Sequence, residues 1–421
     1  MSKGPQDLYS ARANALLDNE FPFEEPKTPV KWNFDQGTPA PELYPLDDLK
    51  AYVAKAVEKD GVLTCEYFGA AGYEEMTYGY AGLRSILAER TSRRDGRPLT
   101  KDNIMLVNGS AHGLSLIAQA YVGEGDGVVA ENLSFPFMID YIGRTGATVA
   151  PVPVDRDGMV VDELPKALQS LVDQGLTPKM IYTIPSFQVP TGTCLPLERR
   201  QRLLEIAKEW GVMIVEDNCY HELYFDTPPP PTLFSMDDTG LVMQSDSFSK
   251  YVAPGLRMAW LAGHPAAIKA IVRVRQDFAV SQLLARALER YLAAGDFDAH
   301  LVALRGHYRE KRDATRDALW KYARPWVRFR EPAGGFYFWL ELDERVDWDR
   351  ARAALADQGI AFRPADRFAD EDHGHGKADE RRFVRISPIQ VPLEDIEPGI
   401  AALGAALAAA VASPDGQRRE R

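Results

Sequence analysis

The sequence predicts an α/β fold in which a mostly parallel central sheet is flanked by helices and followed by a smaller α+β domain. Between about residues 100 and 263, short apolar runs rich in Val, Ile and Met alternate with helical stretches, which is the pattern of strands buried on both faces of a parallel sheet. A hydrophobic content of 45% over 421 residues is enough for a large core, and the length suits two or three domains. The predicted strands are 103–107, 127–132, 179–184, 211–216, 240–245 and 257–263.

The first fifty residues are rich in proline and aromatic side chains. Proline blocks a long helix, and large aromatic side chains are costly to leave in water. We therefore expect an extended arm that lies over another surface, with a frayed terminus as the alternative. The aromatic residues that favour the arm are Phe21, Phe23, Trp32 and Phe34.

The last third of the chain has an α+β pattern. Long helices are predicted within 266–322, strands at 334–342 and 381–389, and a final Ala-rich helix at 392–412. The expected divisions are an N-terminal arm over 1–50, a large domain over 51–295, a small C-terminal domain over 296–412 and a disordered tail over 413–421.

The composition disfavours several classes of protein. The formal net charge is −12, and an acidic chain without a long basic run is a poor binder of nucleic acid. No apolar stretch reaches the roughly 18 to 20 residues of a membrane span, and the first residues lack the apolar core of a secretory signal. The three cysteines form no CxxC pair. We expect a soluble cytoplasmic protein with no nucleic-acid or membrane partner.

Two candidate ligand-binding features directly follow predicted strands, which is where ligands bind in parallel α/β sheets. One suits an anion and the other suits a cation. The turn NGSAHG, residues 108–113, joins a strand to a helix, and the free N–H groups of a helix start favour phosphate; the alternative is a plain tight turn. Asp217 ends another strand, where a buried carboxylate needs a cationic partner; the alternative is a helix N-cap.

A third feature is the lysine at position 250. Ser247 and Ser249 precede Lys250, and Arg257 follows it by seven residues, so an amine can lie beside a site for a dianion. An isolated lysine is usually a surface residue, but the three features together suit a phosphorylated pyridine aldehyde. The lysine forms an imine, the aspartate keeps the ring nitrogen protonated, and the hydroxyls, the arginine and the N–H groups hold the phosphate.

At these residues the chain resembles the fold-type I pyridoxal-phosphate (PLP) enzymes, and among them the class I/II aminotransferases that act on 2-aminoadipate, aromatic and branched-chain amino acids. The resemblance covers residues 32–412. The segment SDSFSKYVAPGLR resembles the family's S-x-S-K-x-x-x-P-G-x-R motif, and VEDNCYHEL resembles its D-x-x-Y segment. The resemblance implies the PLP-dependent transferase fold type I, PLP as cofactor, and a homodimer with shared active sites.

The resemblance also implies a role for each matching residue. Catalytic roles are implied for Lys250 as the Schiff-base lysine, Asp217 on the pyridine nitrogen and Tyr220 on the ring hydroxyl. The implied phosphate ligands are Ser110, Ala111, His112, Ser247, Ser249 and Arg257, and the implied ring-stacking residue is Phe135. Substrate contacts are implied for Gly37 and for Arg385, which grips the α-carboxylate. Tyr78 is implied to reach the phosphate of the partner subunit, with Tyr73 as the alternative.

One position departs from the family's pattern. The family usually has N-P-T-G at a place where this chain has Val189-Pro190-Thr191-Gly192, and the asparagine bonds the ring hydroxyl of the cofactor. Valine donates no hydrogen bond, so either Tyr220 acts alone on the ring oxygen or a neighbour such as Gln188 reaches in. We predict an imine pKa higher than in enzymes with the asparagine.

The implied activity is transfer of an amino group between an L-amino acid and a 2-oxo acid with ping-pong kinetics. A PLP-dependent lyase, decarboxylase or oxidase of specialised metabolism is the alternative that Val189 motivates, although Arg385 favours retention of the carboxylate. A DNA-binding regulator is a third hypothesis, which the acidic composition and the Pro-rich first thirty residues disfavour. No metal site is expected, since His373 and His375 suit a solvated polar loop.

Overall fold

A computed structural model describes residues 4–10, 14, 29–67, 69–368 and 382–411. The α-helices in the described residues are α1 Leu46–Asp60, α2 Tyr73–Tyr78, α3 Ala81–Asp95, α4 Ser110–Tyr121, α5 Pro136–Gly143, α6 Leu164–Asp173, α7 Leu197–Trp210, α8 Leu233–Met236, α9 Pro265–Val274, α10 Gln282–Ala293, α11 Asp296–Ala318, α12 Trp348–Asp357 and α13 Leu393–Ala409. The strands are β1 Trp32–Asn33, β2 Ile104–Val107, β3 Asp126–Glu131, β4 Thr148–Val152, β5 Val154–Asp155, β6 Gly158–Met159, β7 Thr177–Thr183, β8 Met213–Asp217, β9 Val242–Ser247, β10 Ala259–Ala262, β11 Val327–Phe329, β12 Phe338–Leu342, β13 Ile360–Ala361, β14 Arg363–Pro364 and β15 Phe383–Ile386.

The central sheet has seven strands in the order β2-β10-β9-β8-β7-β3-β4. Every pairing is parallel except the two made by β10, which runs antiparallel to both β2 and β9. Strands β2, β8 and β9 are buried along their whole length, as expected for strands covered on both faces. The predicted mostly parallel sheet is confirmed.

One strand of this sheet escaped prediction. Strand β4 contains Pro151 and lies at the edge, paired only with β3. Proline is a breaker signal in sequence, but an edge strand tolerates it because one side of the backbone needs no ladder partner. Residues 148–152 therefore form a strand because of their edge position in the sheet, which the local sequence does not indicate.

The antiparallel strand β10 has a consequence for the site. Ala259 at its start pairs with Val107 at the end of β2 and with Ser247 at the end of β9. The chain that leads into β10 therefore lies at the same edge as the chain that leaves β2 and β9. Arg257 lies just before β10, whereas the other predicted residues lie just after their strands. Because β10 is antiparallel, Arg257 still reaches the same edge of the sheet.

The helices begin and end where the sequence provides signals. Helix α7 ends at its C-cap Gly211, which has a φ of 64°; glycine adopts this left-handed conformation without steric cost. Helices α4 and α6 pack on the central sheet, α4 against β9 and β10 and α6 against β3 and β7.

A second sheet, in the order β11-β12-β15-β14, is antiparallel and has its own hydrophobic core. Trp32 and Phe34 of the N-terminal segment are buried in this core, and β1 pairs with β13. These two aromatic residues thus pack on their own chain, and this part of the predicted arm covers the small sheet. Phe21 and Phe23 lie outside the described residues, as does the tail 413–421. The domain boundaries stay a prediction.

Within the described part of the chain, no helix has both the length and the apolar character needed to cross a bilayer. The same residues contain no group of three or more His, Cys, Asp or Glu side chains that could hold a metal ion. His373 and His375 lie outside the described residues.

Candidate active site

A cavity of about 530 Å³ lies at the carboxyl edge of the central sheet, between this sheet and residues of the small sheet. It brings together residues that are up to 352 positions apart in the sequence, from Asn33 to Arg385. The predicted residues that line it are Gly37, Ser110, Ala111, Phe135, Asp217, Tyr220, Ser249, Lys250, Arg257 and Arg385. The chemistry inferred from the sequence requires these residues to line one cavity, and they do.

Three predicted residues do not line the cavity. Ser247 lies one layer behind it, where its hydroxyl donates to Ser249 Oγ at 2.9 Å and accepts from the Ser249 N–H at 3.0 Å. His112 Nδ1 accepts from the Asn108 N–H at 3.2 Å, so this ring is held inside its own turn. Tyr78 ends α2 and stacks against the guanidinium of Arg84. Their roles toward a cofactor stay predictions.

The start of α4 forms one end of the cavity. Gly109 precedes the helix with a φ of 87°, and a Cβ at this position would overlap the guanidinium of Arg257. Among the described residues no side chain caps α4, so its first N–H groups are open to an anion. Arg257 Nη2 donates to the Asn108 carbonyl at 3.2 Å, which holds a cation beside the helix start. Backbone N–H groups, Ser249 and Arg257 together suit a phosphate.

Asp217 ends β8 deep in the cavity and is 5% exposed. The Tyr182 hydroxyl donates to its Oδ2 at 3.0 Å, whereas Oδ1 has no hydrogen-bond partner among the described residues. Burial raises the pKa of the Asp217 carboxyl, and the nearby polar groups of Cys219 and the Tyr182 hydroxyl oppose this rise. The N-cap alternative is wrong, because the first α-helix after Asp217 begins only at Leu233. A buried carboxylate with one open oxygen fits a protonated ring nitrogen.

Lys250 belongs to no helix or strand; it lies in the turn after β9 and lines the cavity. Its Nζ donates to the Gly37 carbonyl at 2.6 Å and lies 5.6 Å from the centre of the Tyr220 ring. The N-terminal segment therefore closes over the amine. This is the only lysine that lines the cavity in the described residues, so an aldehyde bound there meets one candidate amine.

The position of Val189 is as apolar as the sequence indicates. Val189 lines the cavity and is 6% exposed. The neighbour Gln188 does not line the cavity, and its amide is engaged elsewhere: Nε2 donates to the Leu133 carbonyl at 2.6 Å, and Oε1 accepts from Thr191 Oγ1 at 2.7 Å. The alternative in which Gln188 reaches the ring oxygen is therefore wrong.

Arg385 comes from β15 and enters the cavity from the small sheet. Its Nη2 donates to the Asp35 carbonyl at 2.5 Å and to Asp35 Oδ1 at 3.2 Å, while its buried Nε has no hydrogen-bond partner among the described residues. Arg363 holds the same aspartate through Nε at 2.7 Å and Nη2 at 2.5 Å. A guanidinium held by one side with donors remaining suits a carboxylate ligand.

Sequence reasoning missed several residues of this cavity or its immediate support. Their contacts cross long stretches of chain, and none belongs to a motif that the sequence analysis used. These residues are Asp35, Tyr182, Tyr337, Arg363 and Arg367. The aromatic run before β12 was the available signal for Tyr337, but such runs are more often core.

The fold and the cavity define a fold-type I PLP enzyme, because an open buried carboxylate, a lysine and an uncapped helix start lie in one cavity at the sheet edge. The family model for aminotransferase class I and II matches residues 46–403. The chain belongs to this family. The predictions of a PLP-dependent aminotransferase and of PLP as cofactor are confirmed.

Known relatives and structures agree with this assignment. The chain is 31% identical over 369 residues to aromatic-amino-acid aminotransferase 1 of Thermococcus litoralis, which covers 86% of this chain and 85% of that protein. It is 31% identical over 379 residues to the 2-aminoadipate transaminase of Thermus thermophilus, which covers 89% of each. The crystal structure of Pyrococcus horikoshii kynurenine aminotransferase superimposes with a TM-score of 0.86 at 26% identity, covering 97% of this chain and 98% of that chain.

HTH-type transcriptional regulators also match, at somewhat lower identity. The HTH-type transcriptional regulator TauR of Rhodobacter capsulatus is 29% identical over 383 residues, covering 90% of this chain and 74% of that protein. The similarity therefore covers most of this chain but leaves about a quarter of the regulator unmatched.

Proposed function

We propose that this aminotransferase moves the amino group of an L-amino acid to a 2-oxo acid through Lys250, Asp217, Tyr220 and Arg385. The observation that carries the proposal is the buried open oxygen of Asp217 in the same cavity as a single lysine. When bound, PLP supplies an aldehyde for exchange with amines and a ring that accepts electrons from the substrate's Cα. The protein's own residues hold the reactants and move the protons.

Lys250 has two tasks in this proposal. With PLP bound, its amine would hold the cofactor, and once free it would act as a general base that moves the proton from the substrate Cα. The 2.6 Å hydrogen bond from Nζ to the Gly37 carbonyl supports this role, because that carbonyl is an acceptor for the freed amine. This placement keeps the base close to the substrate.

Arg385 fixes the substrate. A bidentate pair with the α-carboxylate sets the orientation of the Cα–H bond in the cavity. Asp35 holds the guanidinium from the other side, so little side-chain freedom is lost when the substrate binds. With PLP bound, Asp217 would hold the charge of the ring nitrogen and Tyr220 would donate to the ring oxygen.

Replacement of Arg385 by alanine is expected to lower kcat/KM for both substrates by about 10- to 150-fold, because a charge-assisted hydrogen-bonded pair contributes about 1.5–3 kcal/mol. The loss should appear mainly in KM, since the arginine binds a carboxylate that the reaction does not alter. Arg382→Ala is the matched control: Arg382 precedes the same strand, pairs with Glu341 and Glu344, and does not line the cavity. Steady-state kinetics with equal losses in both variants would contradict the assignment.

A spectral screen tests the reaction itself. We expect at least one L-amino acid to remove the visible absorbance of the PLP-loaded protein and to leave pyridoxamine phosphate, and a 2-oxo acid to restore the absorbance. A lyase, decarboxylase or oxidase would release product without accumulating pyridoxamine phosphate. That result would replace transamination by the alternative, and tight salt-sensitive DNA binding without any spectral change would favour a regulator.

A homodimer is part of the proposal. Exposed aromatic side chains support it: Tyr67 and Phe278 are each about two-thirds exposed with ring centres 5.6 Å apart, and Tyr73 is 73% exposed. Such a patch supports burial against a second copy, and Tyr78 or Tyr73 would then reach the partner's phosphate. Light scattering is expected to give twice the mass of one chain.

A cytoplasmic location is also proposed. Cys65 is exposed and unpaired, and Cys194 and Cys219 form no disulfide with it or with each other. Free thiols of this kind suit a reducing compartment.

A further inference from the structure

The wall of the cavity near Tyr220 contains a hydroxyl that no motif assigned. Val189 offers no donor there, and the amide of Gln188 is committed to Leu133 and Thr191. Tyr337, in the segment just before β12, lines the same cavity, and its hydroxyl lies 2.9 Å from the Tyr220 hydroxyl. Both side chains are buried, at 3% and 5% exposure.

A hydroxyl has a single proton to donate, so the direction of the Tyr220–Tyr337 hydrogen bond matters. If Tyr220 donates to Tyr337, its proton is lost to the cavity. If Tyr337 donates to Tyr220, the Tyr220 proton is free for an anionic oxygen in the cavity. An anionic acceptor selects the second arrangement, because a donor toward a charged oxygen forms the stronger hydrogen bond, and a chain of two donors strengthens it further.

The surroundings hold the pair in this position. The rings of Phe336 and Tyr337 pack edge-on against Tyr220 at 5.3 and 5.8 Å between centres. A Cβ on residue 37 would overlap the Tyr337 hydroxyl, so Gly37 leaves the room that this hydroxyl needs. The Arg385 guanidinium lies 4.4 Å from the centre of the Tyr337 ring. Burial also raises the pKa of Tyr220 well above its usual value, which keeps it a neutral donor.

We propose that Tyr337 is a positioning residue that donates its proton to Tyr220 and so turns the Tyr220 proton toward the ring oxygen of the cofactor, in place of the amide donor that Val189 lacks. The inference rests on the proposed function and assigns to this chain a second way to stabilise the ring oxygen. It also connects that oxygen to the substrate carboxylate, since Arg385 stacks on the same tyrosine ring.

The test is the pH titration of the visible spectrum of the holoenzyme. A donor to the ring oxygen stabilises its anionic form and lowers the pKa of this spectral change, so loss of one net hydrogen bond in Tyr337→Phe is expected to raise that pKa by about 0.5 to 1. Val189→Asn supplies an amide donor and is expected to lower the pKa. In the double variant, Val189→Asn should reverse most of the rise caused by Tyr337→Phe.

Tyr308→Phe is the matched control. Tyr308 is also buried and its ring lies 5.4 Å from Phe336, but its hydroxyl bonds the Ala40 N–H and not Tyr220. Its removal is expected to leave the titration unchanged. Gly37→Ala is the second variant, needed if Tyr337→Phe fails to fold, and it should raise the pKa by displacing the Tyr337 hydroxyl.

Two results would overturn the inference. One is an unchanged titration in Tyr337→Phe or, where that variant does not fold, in Gly37→Ala. The other is a rise in Tyr337→Phe that Val189→Asn does not reduce, which would assign Tyr337 a packing role only. Either result leaves the proposed function intact as long as the wild-type holoenzyme titrates and is bleached by an amino acid. A wild-type protein without a visible band would instead remove the proposed function and this inference with it.

Discussion

Replacement of Lys250 by alanine is expected to abolish turnover while the protein still binds PLP. The freed lysine is the only amine that lines the cavity in the described residues, and general acid–base catalysis alone contributes about 10²–10⁴-fold. Because the variant also loses amine exchange through the lysine, we expect kcat to fall by more than about 10⁴-fold. Binding should persist because the α4 start, Ser249 and Arg257 are untouched. Steady-state rates and PLP content after gel filtration measure the two effects.

Lys208→Ala is the control for this variant. Lys208 lies on α7, 61% of its side chain is exposed, and it pairs with Asp238 at the surface. Its removal is expected to leave both rate and PLP content unchanged. Substantial turnover by Lys250→Ala, beyond about a hundredth of the wild-type rate, would contradict the role of Lys250.

Replacement of Asp217 by asparagine is expected to lower kcat by about 10²–10³-fold, by analogy with the loss of one preorganised oxyanion-hole donor. The asparagine keeps the size of the side chain but removes the negative charge that the open Oδ1 presents to the ring nitrogen. The affinity for PLP should fall in the same variant. Kinetics and a PLP titration followed by absorbance measure these two losses.

Asp246→Asn is the matched control for the buried carboxylate. Asp246 lies on the neighbouring strand β9, is fully buried and does not line the cavity. Burial raises its pKa to about 8, and its replacement removes a buried carboxyl that lies outside the cavity. Asp217→Asn kinetics no worse than those of Asp246→Asn would remove Asp217 from the chemistry.

The sequence predicted the site residues at the carboxyl edge of the sheet, because each strand and the turn after it are local features of the sequence. Asn108, Asp217 and Lys250 follow apolar runs, and the carboxyl ends of parallel strands meet at one edge. Arg257 precedes its strand, and its place at this edge depends on the antiparallel direction of β10, which the apolar run itself does not show.

The residues that the sequence did not predict are joined by contacts between distant parts of the chain. Asp35 reaches Arg385 across 350 positions, and Tyr220 reaches Tyr337 across 117. Tyr182 points from β7 to Asp217, the last residue of β8, and a buried tyrosine on a strand is usually read as core. No local periodicity encodes such pairings; they follow from how the two sheets pack around the cavity.

Gln188 is a residue that the sequence suggested and the structure excluded. Its polar side chain next to Val189 suggested a substitute donor, but the loop directs it to the Leu133 carbonyl. The sequence therefore identified the missing donor, and only the packed structure identified the Tyr337 hydroxyl as its candidate replacement.

Reduction of the holoenzyme with borohydride, followed by peptide mapping, tests the central claim most directly. Borohydride fixes the cofactor on the amine that holds it. The account predicts the mass of the reduced cofactor on the peptide that contains Lys250, and its absence from Lys250→Ala treated in the same way. A tag on another lysine, or none on a protein saturated with PLP, would contradict the account.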